Sequence, residues 1–183
     1  KDLRKVVILL AHPNIKESQA NKALVDAVSD MEGVAVFNLY ELSQEIAFNI
    51  DEWSKIISDA SAVIYQFPFY WMSAPSLLKK WQDEVFTFLS KTPAVAGKPL
   101  TVVTTTGSEY EAYRSGGRNR FTTDELLRPY QVSAIHSGMS WQTPIVVYGM
   151  GTADAGKNIA EGANLYKQRV EMLIGSSNAG NNW

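Results

Sequence analysis

Short β-branched runs alternate with stretches of helical spacing along the chain. Residues 6–10 are continuously apolar, as a strand covered on both faces should be. Ala20, Ala23, Leu24, Ala27 and Val28 recur at helical spacing within 18–31, and Gly33 stops that helix. Residues 34–39 predict a second strand. Asn49 or Asp51 caps a helix through Ala60, and 62–66 form a third strand. Pro75, suited to a first turn, opens a helix through Leu89. Residues 100–105 are the fourth strand. A helix over 122–134 contains Pro129, which must kink or split it. Residues 144–148 are the fifth strand, and 155–174 the closing helix.

Five strands alternating with five helices imply an α/β three-layer sandwich, its parallel sheet covered on both faces. The strand order expected at this size is 2-1-3-4-5. At 183 residues one domain is expected, over 1–175, with 176–183 a flexible tail rich in Gly, Ser and Asn. Seventeen basic against 19 acidic residues give a net charge of −2, which argues against nucleic acid as partner. The absence of Cys removes disulfides and thiol chemistry. With only His12 and His136, no metal site is expected. No apolar run approaches the roughly 18 residues of a membrane span, so a cytoplasmic protein is expected. Five Trp, eight Tyr and seven Phe form a surplus that composition cannot assign to core or binding surface.

Ligands on such sheets sit beyond the carboxyl ends of the strands. After strand one, His12 to Asn21 offer an imidazole, a hydroxyl and amides where a helix begins, a favourable anion site. Ser18 reads equally as a helix cap, and His12 equally as a structural hydrogen-bonder. After strand three come Phe67, Phe69, Tyr70, Trp71 and Met72 in a loop with two prolines. Flat side chains there suit a planar ring, or a plug or subunit contact. After strand four come Thr105, Thr106, Gly107 and Ser108, then Tyr113 and the basic run of Arg114, Arg118 and Arg120. Those arginines suit a pyrophosphate or 2′-phosphate, or are an ordinary solvated loop. Residues 151–158 match the G-x-x-x-x-G-K spacing, but Asn158 replaces the metal-binding hydroxyl and Asp154 would oppose a phosphate. Gly156 reads instead as part of a helix start.

Taken in order, these loops resemble the NAD(P)H:quinone oxidoreductase family. The likeness is greatest to its small bacterial branch, which includes ancillary subunits of glutathione-gated potassium efflux systems. It rests on Ala11-His12-Pro13, Ser18-Gln19-Ala20-Asn21-Lys22, Phe48-Asn49-Ile50-Asp51, Gln66-Phe67-Pro68 with Tyr70-Trp71, Pro75 to Lys79 with Trp81, Thr105-Thr106-Gly107, and Tyr166 to Arg169. It spans about 5–174.

The resemblance implies a flavodoxin-like fold and FMN, with FAD open, reduced by NAD(P)H. It implies that His12, Ser18, Gln19, Ala20 and Asn21 hold the flavin phosphate. Phe69, Tyr70, Trp71 and Met72 would line the ring, and Thr105, Thr106, Gly107 and Ser108 its pyrimidine side. Tyr113 falls where the family has a tyrosine at the hydride-accepting face, and Asn119 where a histidine usually follows. Ser108 stands where a second glycine is usual, and the segment between Phe86 and Pro99 is short.

The function expected is two-electron transfer from NAD(P)H through FMN to a quinone or other small electrophile, by a homodimer. The alternative is a flavin-binding regulatory subunit of a potassium efflux antiporter, held at the inner membrane through that partner. A one-electron carrier fits less well, for want of a Thr/Ser/Gly-rich phosphate loop and a strongly acidic surface.

Overall fold

Successive residues of the first strand face opposite ways, and both directions are apolar. Val7 and Leu9 enter one buried cluster, and Val6 and Ile8 another. That two-sided burial sets the three layers. In the computed structural model, which describes residues 5–176, the strands are β1 (Lys5–Leu10), β2 (Val34–Asn38), β3 (Ala60–Pro68), β4 (Pro99–Thr105), β5 (Ser140–Trp141) and β6 (Ile145–Val147). All pair in parallel, in the order β2-β1-β3-β4-β5. The expected order 2-1-3-4-5 is observed.

The fifth position is shared by two short strands rather than one over 144–148. β5 pairs with the start of β4 and β6 with its end. Pro144, lacking an N–H, interrupts the ladder between them.

One face is covered by α1 (Ala20–Ser29) and α8 (Ala155–Ser176), whose Leu24, Val28, Tyr166, Val170 and Leu173 are buried. Gly162 lets α8 approach β6, since a Cβ there would stand 2.4 Å from Val147 Cγ2. The other face is covered by α3 (Ile50–Ser58), α4 (Ser76–Trp81), α5 (Thr87–Leu89) and α7 (Arg128–His136). A π-helical turn, Gln82–Phe86, joins α4 to α5 and turns the adjacent Val85 and Phe86 both inward. The Asn49 side chain caps α3 by accepting from the Glu52 amide at 2.9 Å.

The helix expected over 122–134 is split, as Pro129 requires, into α6 (Thr123–Leu126) and α7, with Pro129 in the first turn of α7. Ser43 caps a further short helix, α2 (Gln44–Ala47), that the apolar pattern did not announce. The closing helix runs past the expected 174 to Ser176, so residue 176 belongs to α8 rather than to the tail, and the rest of the expected tail lies outside the described residues.

Much of the aromatic surplus is core. Phe37, Trp53, Trp81, Tyr65, Tyr130 and Phe67 form a chain of ring contacts, Trp53 and Trp81 edge-on at 5.4 Å. Phe67 is fully buried because β3 runs past 66, so it belongs to the core and not to the loop beyond.

Candidate functional site

The loops after β1, β3 and β4 emerge side by side because these strands are neighbours in the sheet. Beneath them lies a buried polar chain. Tyr166 donates to Gln66 Oε1 at 3.0 Å, and Gln66 Nε2 donates to the Asn21 carbonyl at 2.9 Å. Asn21 Nδ2 in turn donates to Thr105 Oγ1 at 3.1 Å. Each link is satisfied in a low-dielectric setting, which rigidifies the loops above. Burial alone pushes the Tyr166 hydroxyl far above its ordinary pKa, so it stays a donor.

The sequence marked Asn21 for the phosphate, but the structure turns its side chain inward, where only 1% of the residue is exposed. Gln66 and Tyr166 were quoted only as matching residues. Their positioning role comes from contacts 100 residues apart, which no local pattern reveals.

The β1 loop ends in a donor-rich turn. Ser18 Oγ accepts from the Asn21 amide at 3.0 Å, so it caps α1 and keeps its own proton to give. The amides of Gln19 and Ala20 have no hydrogen-bond partner among the described residues. His12 Nδ1 accepts from the Asn14 amide at 3.0 Å, which leaves the ring proton on Nε2. Partial burial holds the His12 pKa below its ordinary 6.5, so the ring is neutral at pH 7. An anion at this turn meets the positive end of the α1 dipole and several N–H and O–H donors.

The β3 loop folds into a two-residue hairpin. The Tyr70 amide donates to the Ser73 carbonyl at 2.8 Å and the Ser73 amide back at 3.2 Å. Trp71 and Met72, the central pair, take φ of +51° and +64°. That is the left-handed signature of a type I′ turn, where Asn-Gly is usual. Holding two bulky residues there is strained, and it leaves Trp71 96% exposed. Tyr70 and Met72 are exposed as well, whereas Phe69 lies half-buried against Tyr113 with ring centroids 6.2 Å apart. The hydroxyl of Tyr130 anchors the far side of the turn by accepting from the Ala74 amide at 3.2 Å.

The β4 loop has its backbone carbonyls taken and two of its amides unpartnered among the described residues. The carbonyls of Thr106, Gly107 and Ser108 accept from the amides of Met150, Gly151 and Gly149 at 2.8–2.9 Å. The amides of Gly107 and Ser108 have no partner among the described residues. Nothing lies within 4 Å of where a Gly107 Cβ would stand, so the face above is open. The G-x-x-x-x-G-K match is thus accounted for: its first glycine backs this loop and Gly156 lies in the first turn of α8.

Tyr113 ends a 3₁₀ turn, Tyr110–Tyr113, and is 5% exposed. Its hydroxyl has no protein partner among the described residues, nor is it sealed from solvent, so it can bond a ligand. The Asn119 amide donates to the Ala112 carbonyl at 3.0 Å, which draws Asn119 beside that turn. Gly117 makes the return possible, since a Cβ there would lie 2.1 Å from the Glu111 carbonyl oxygen. Arg118 is committed to the carboxylate of Glu109 through both terminal nitrogens. Glu109, held below and Arg118 above its usual pKa chiefly by that hydrogen bond, form a solvent-exposed clasp around the loop. Of the two roles the sequence left open for Arg118, phosphate ligand or solvated loop, this exposed ion pair within the loop fits the second.

A family model described as "Flavodoxin-like fold" matches residues 4–170. A Bacillus subtilis protein described as an uncharacterized NAD(P)H oxidoreductase, YdeQ, is 35% identical over 94% of this chain and 89% of its own. The potassium-efflux ancillary protein KefG of Serratia proteamaculans is 36% identical over 79% and 81%. Among solved structures, general stress protein 14 of Treponema denticola in complex with FMN superposes with a TM-score of 0.83 at 29% identity, over 92% and 99%. An NADPH-quinone reductase from P. pentosaceus gives 0.77 at 26% identity, over 91% and 97%. A chain described as a thermophilic tryptophan halogenase gives 0.83 at 36% identity, over 90% and 98%; this likeness is one of sequence and fold.

The chain belongs to the flavodoxin-like family. Its relatives there are described as oxidoreductases and quinone reductases, and as ancillary proteins of potassium efflux. No helix among the described residues is long and apolar enough to cross a membrane.

Proposed function

We propose that the chain binds FMN across its three loops and transfers two electrons from NAD(P)H to quinones. The observation that carries this reading is the backbone of residues 106–108, whose carbonyls are all taken while the amides of Gly107 and Ser108 are unpartnered among the described residues. With its carbonyls tied to 149–151, this backbone leaves the amides of Gly107 and Ser108 to pair with an electron-rich group. The pyrimidine edge of a flavin is such a group, most of all when reduced, and preorganised amides hold that charge without rearranging. The α1 amides, Ser18 and His12 fit the phosphate, and the exposed Trp71 with Tyr70 and Met72 fits a planar ring.

FMN, when bound, supplies the hydride-accepting centre; the protein orients it and shapes the charge around it. Tyr113 donates its hydroxyl proton as a hydrogen bond to an oxygen of the electron acceptor, with Asn119 beside it. Trp71 and Met72 would offer apolar contact to the ring. A single phosphate end suits this short turn, which favours FMN over FAD. A homodimer would cover Trp71.

The test is NAD(P)H oxidation coupled to reduction of a soluble benzoquinone by FMN-loaded protein. Stoichiometric quinol with no long-lived one-electron species supports the reading, and FMN binding without turnover contradicts it. The KefG likeness supports a second reading, a flavin-binding subunit docked on a potassium efflux antiporter. Co-purification with such a transporter would favour it.

A further inference from the structure

A cleft of about 760 Å³ runs along the open edge of the sheet, between α8 and the 3₁₀ turn that carries Tyr113. Its volume is that of a small-molecule site, and none of the phosphate-loop or ring-loop residues lines it. Ile145 and Val146 of the edge strand contribute apolar lining, alongside three phenol rings. Tyr148 packs against Tyr110 at 5.3 Å and Tyr113 at 5.9 Å, and its hydroxyl is fixed by Thr123 Oγ1 at 2.6 Å.

Two guanidiniums line the same cleft. Arg114 lies over the Tyr110 ring, 5.5 Å from its centroid. Arg169 is half-buried and donates to the Thr143 carbonyl at 2.6 Å. No carboxylate among the described residues pairs with either. A partly desolvated guanidinium without an anion invites one, and burial alone shifts the Arg169 pKa downward. Asp124 adds one carboxylate to the lining, suited to accept from sugar hydroxyls.

We propose that this cleft binds the adenine-nucleotide arm of the hydride donor, the purine against the tyrosines and the diphosphate between Arg114 and Arg169. The inference rests on the oxidoreductase reading above, and Tyr113 links the two. Its ring meets Phe69 of the ring loop on one side and lines the cleft on the other. A dinucleotide whose nicotinamide lies at the ring site thus carries its diphosphate past Tyr113 into the cleft. Guanidiniums recognise phosphate in a fork geometry, and phenol rings stack flat bases. Of the loop arginines, Arg114 alone is placed for this, since Arg118 is clasped to Glu109 and Arg120 does not line the cleft.

The experiment compares two hydride donors on FMN-loaded protein: NAD(P)H, and 1-benzyl-1,4-dihydronicotinamide, which has no nucleotide arm. Calorimetry with ADP-ribose on flavin-free protein is the second readout. Arg114→Ala, at an exposed position, should raise KM for NAD(P)H about tenfold, the scale of one charge-assisted hydrogen bond. It should leave kcat within about two-fold and the benzyl donor unaffected. ADP-ribose should bind one per chain, weakened by about the same factor in Arg114→Ala and more by Arg169→Gln than by Arg169→Lys. Equal effects on both donors, or no ADP-ribose binding by folded protein, would overturn the assignment. Arg114-dependent ADP-ribose binding by a protein that takes up no FMN would keep the cleft and refute the flavin reading alone.

Discussion

Asn21 Nδ2 donates to Thr105 Oγ1 at 3.1 Å in the buried layer beneath the loops, joining the start of α1 to the end of β4. The phosphate end and the ring end of the proposed flavin site are therefore held at a fixed separation by one bond. Asn21→Ala removes the buried donor to Thr105 Oγ1, at a cost of about 1–3 kcal/mol, while Gln66 keeps its bonds to the carbonyl of residue 21 and to Tyr166. A fall of about 4–8 °C in Tm is expected, taking about 2 kcal/mol at 2–4 °C for each. Thr105→Val strands the Asn21 donor to a similar degree. A double-mutant cycle by chemical denaturation should give a coupling of about 0.5–3 kcal/mol. Additive effects would show that the two residues act independently.

The Trp71–Met72 turn should trade stability for binding. Replacing the pair by Asn-Gly, the residues a type I′ turn prefers, removes left-handed strain of about 1–3 kcal/mol per residue. Melting without flavin should rise, whereas FMN affinity should fall about tenfold or more with the loss of the exposed ring. Differential scanning calorimetry and flavin titration on one preparation check both.

His12 predicts a pH signature. Its folded pKa lies below the ordinary 6.5 because of burial, so the unfolded chain takes up the proton first as pH falls. Stability relative to His12→Gln is therefore full above about pH 6.5 and declines as pH drops from there to the folded pKa. Phosphate favours the charged ring, so FMN affinity should instead rise over this range in the wild type and stay flat in His12→Gln. Paired denaturation and binding series from pH 7.5 to about 5 separate the two slopes.

Gly117→Ala places a Cβ 2.1 Å from the Glu111 carbonyl, a backbone atom that cannot swing aside. The loop must open, at a cost of about 1–3 kcal/mol, and quinone turnover should fall because Tyr113 moves. Gly162→Ala makes a contact of 2.4 Å with the side chain of the buried Val147, on the α8 side of the sheet. It should lower Tm comparably while leaving kcat nearly unchanged. Together the pair distinguishes a local effect on Tyr113 from general loosening.

What the chain spelled out, and what it hid, divides along local and long-range lines. The strands came from runs such as 6–10, whose side chains are buried on both faces, and Pro129 split its helix as its missing N–H demands. The aromatic loop was visible as composition, but not that Phe67 is core while Trp71 stands in solvent, a matter of where β3 ends. The buried bonds of Asn21 could not be read locally, because its partners Gln66 and Thr105 lie 45 and 84 residues away. The clasp of Glu109 with Arg118 and the carbonyls taken by 149–151 depend likewise on how loops fold back.

The most direct measurement is a titration of flavin-free protein with FMN, followed by flavin fluorescence and by quenching of tryptophan emission. The account predicts saturation at one FMN per chain, quenching that disappears in Trp71→Ala, and weaker binding in His12→Gln at acid pH. Absence of binding by folded protein, or binding indifferent to both substitutions, would contradict it.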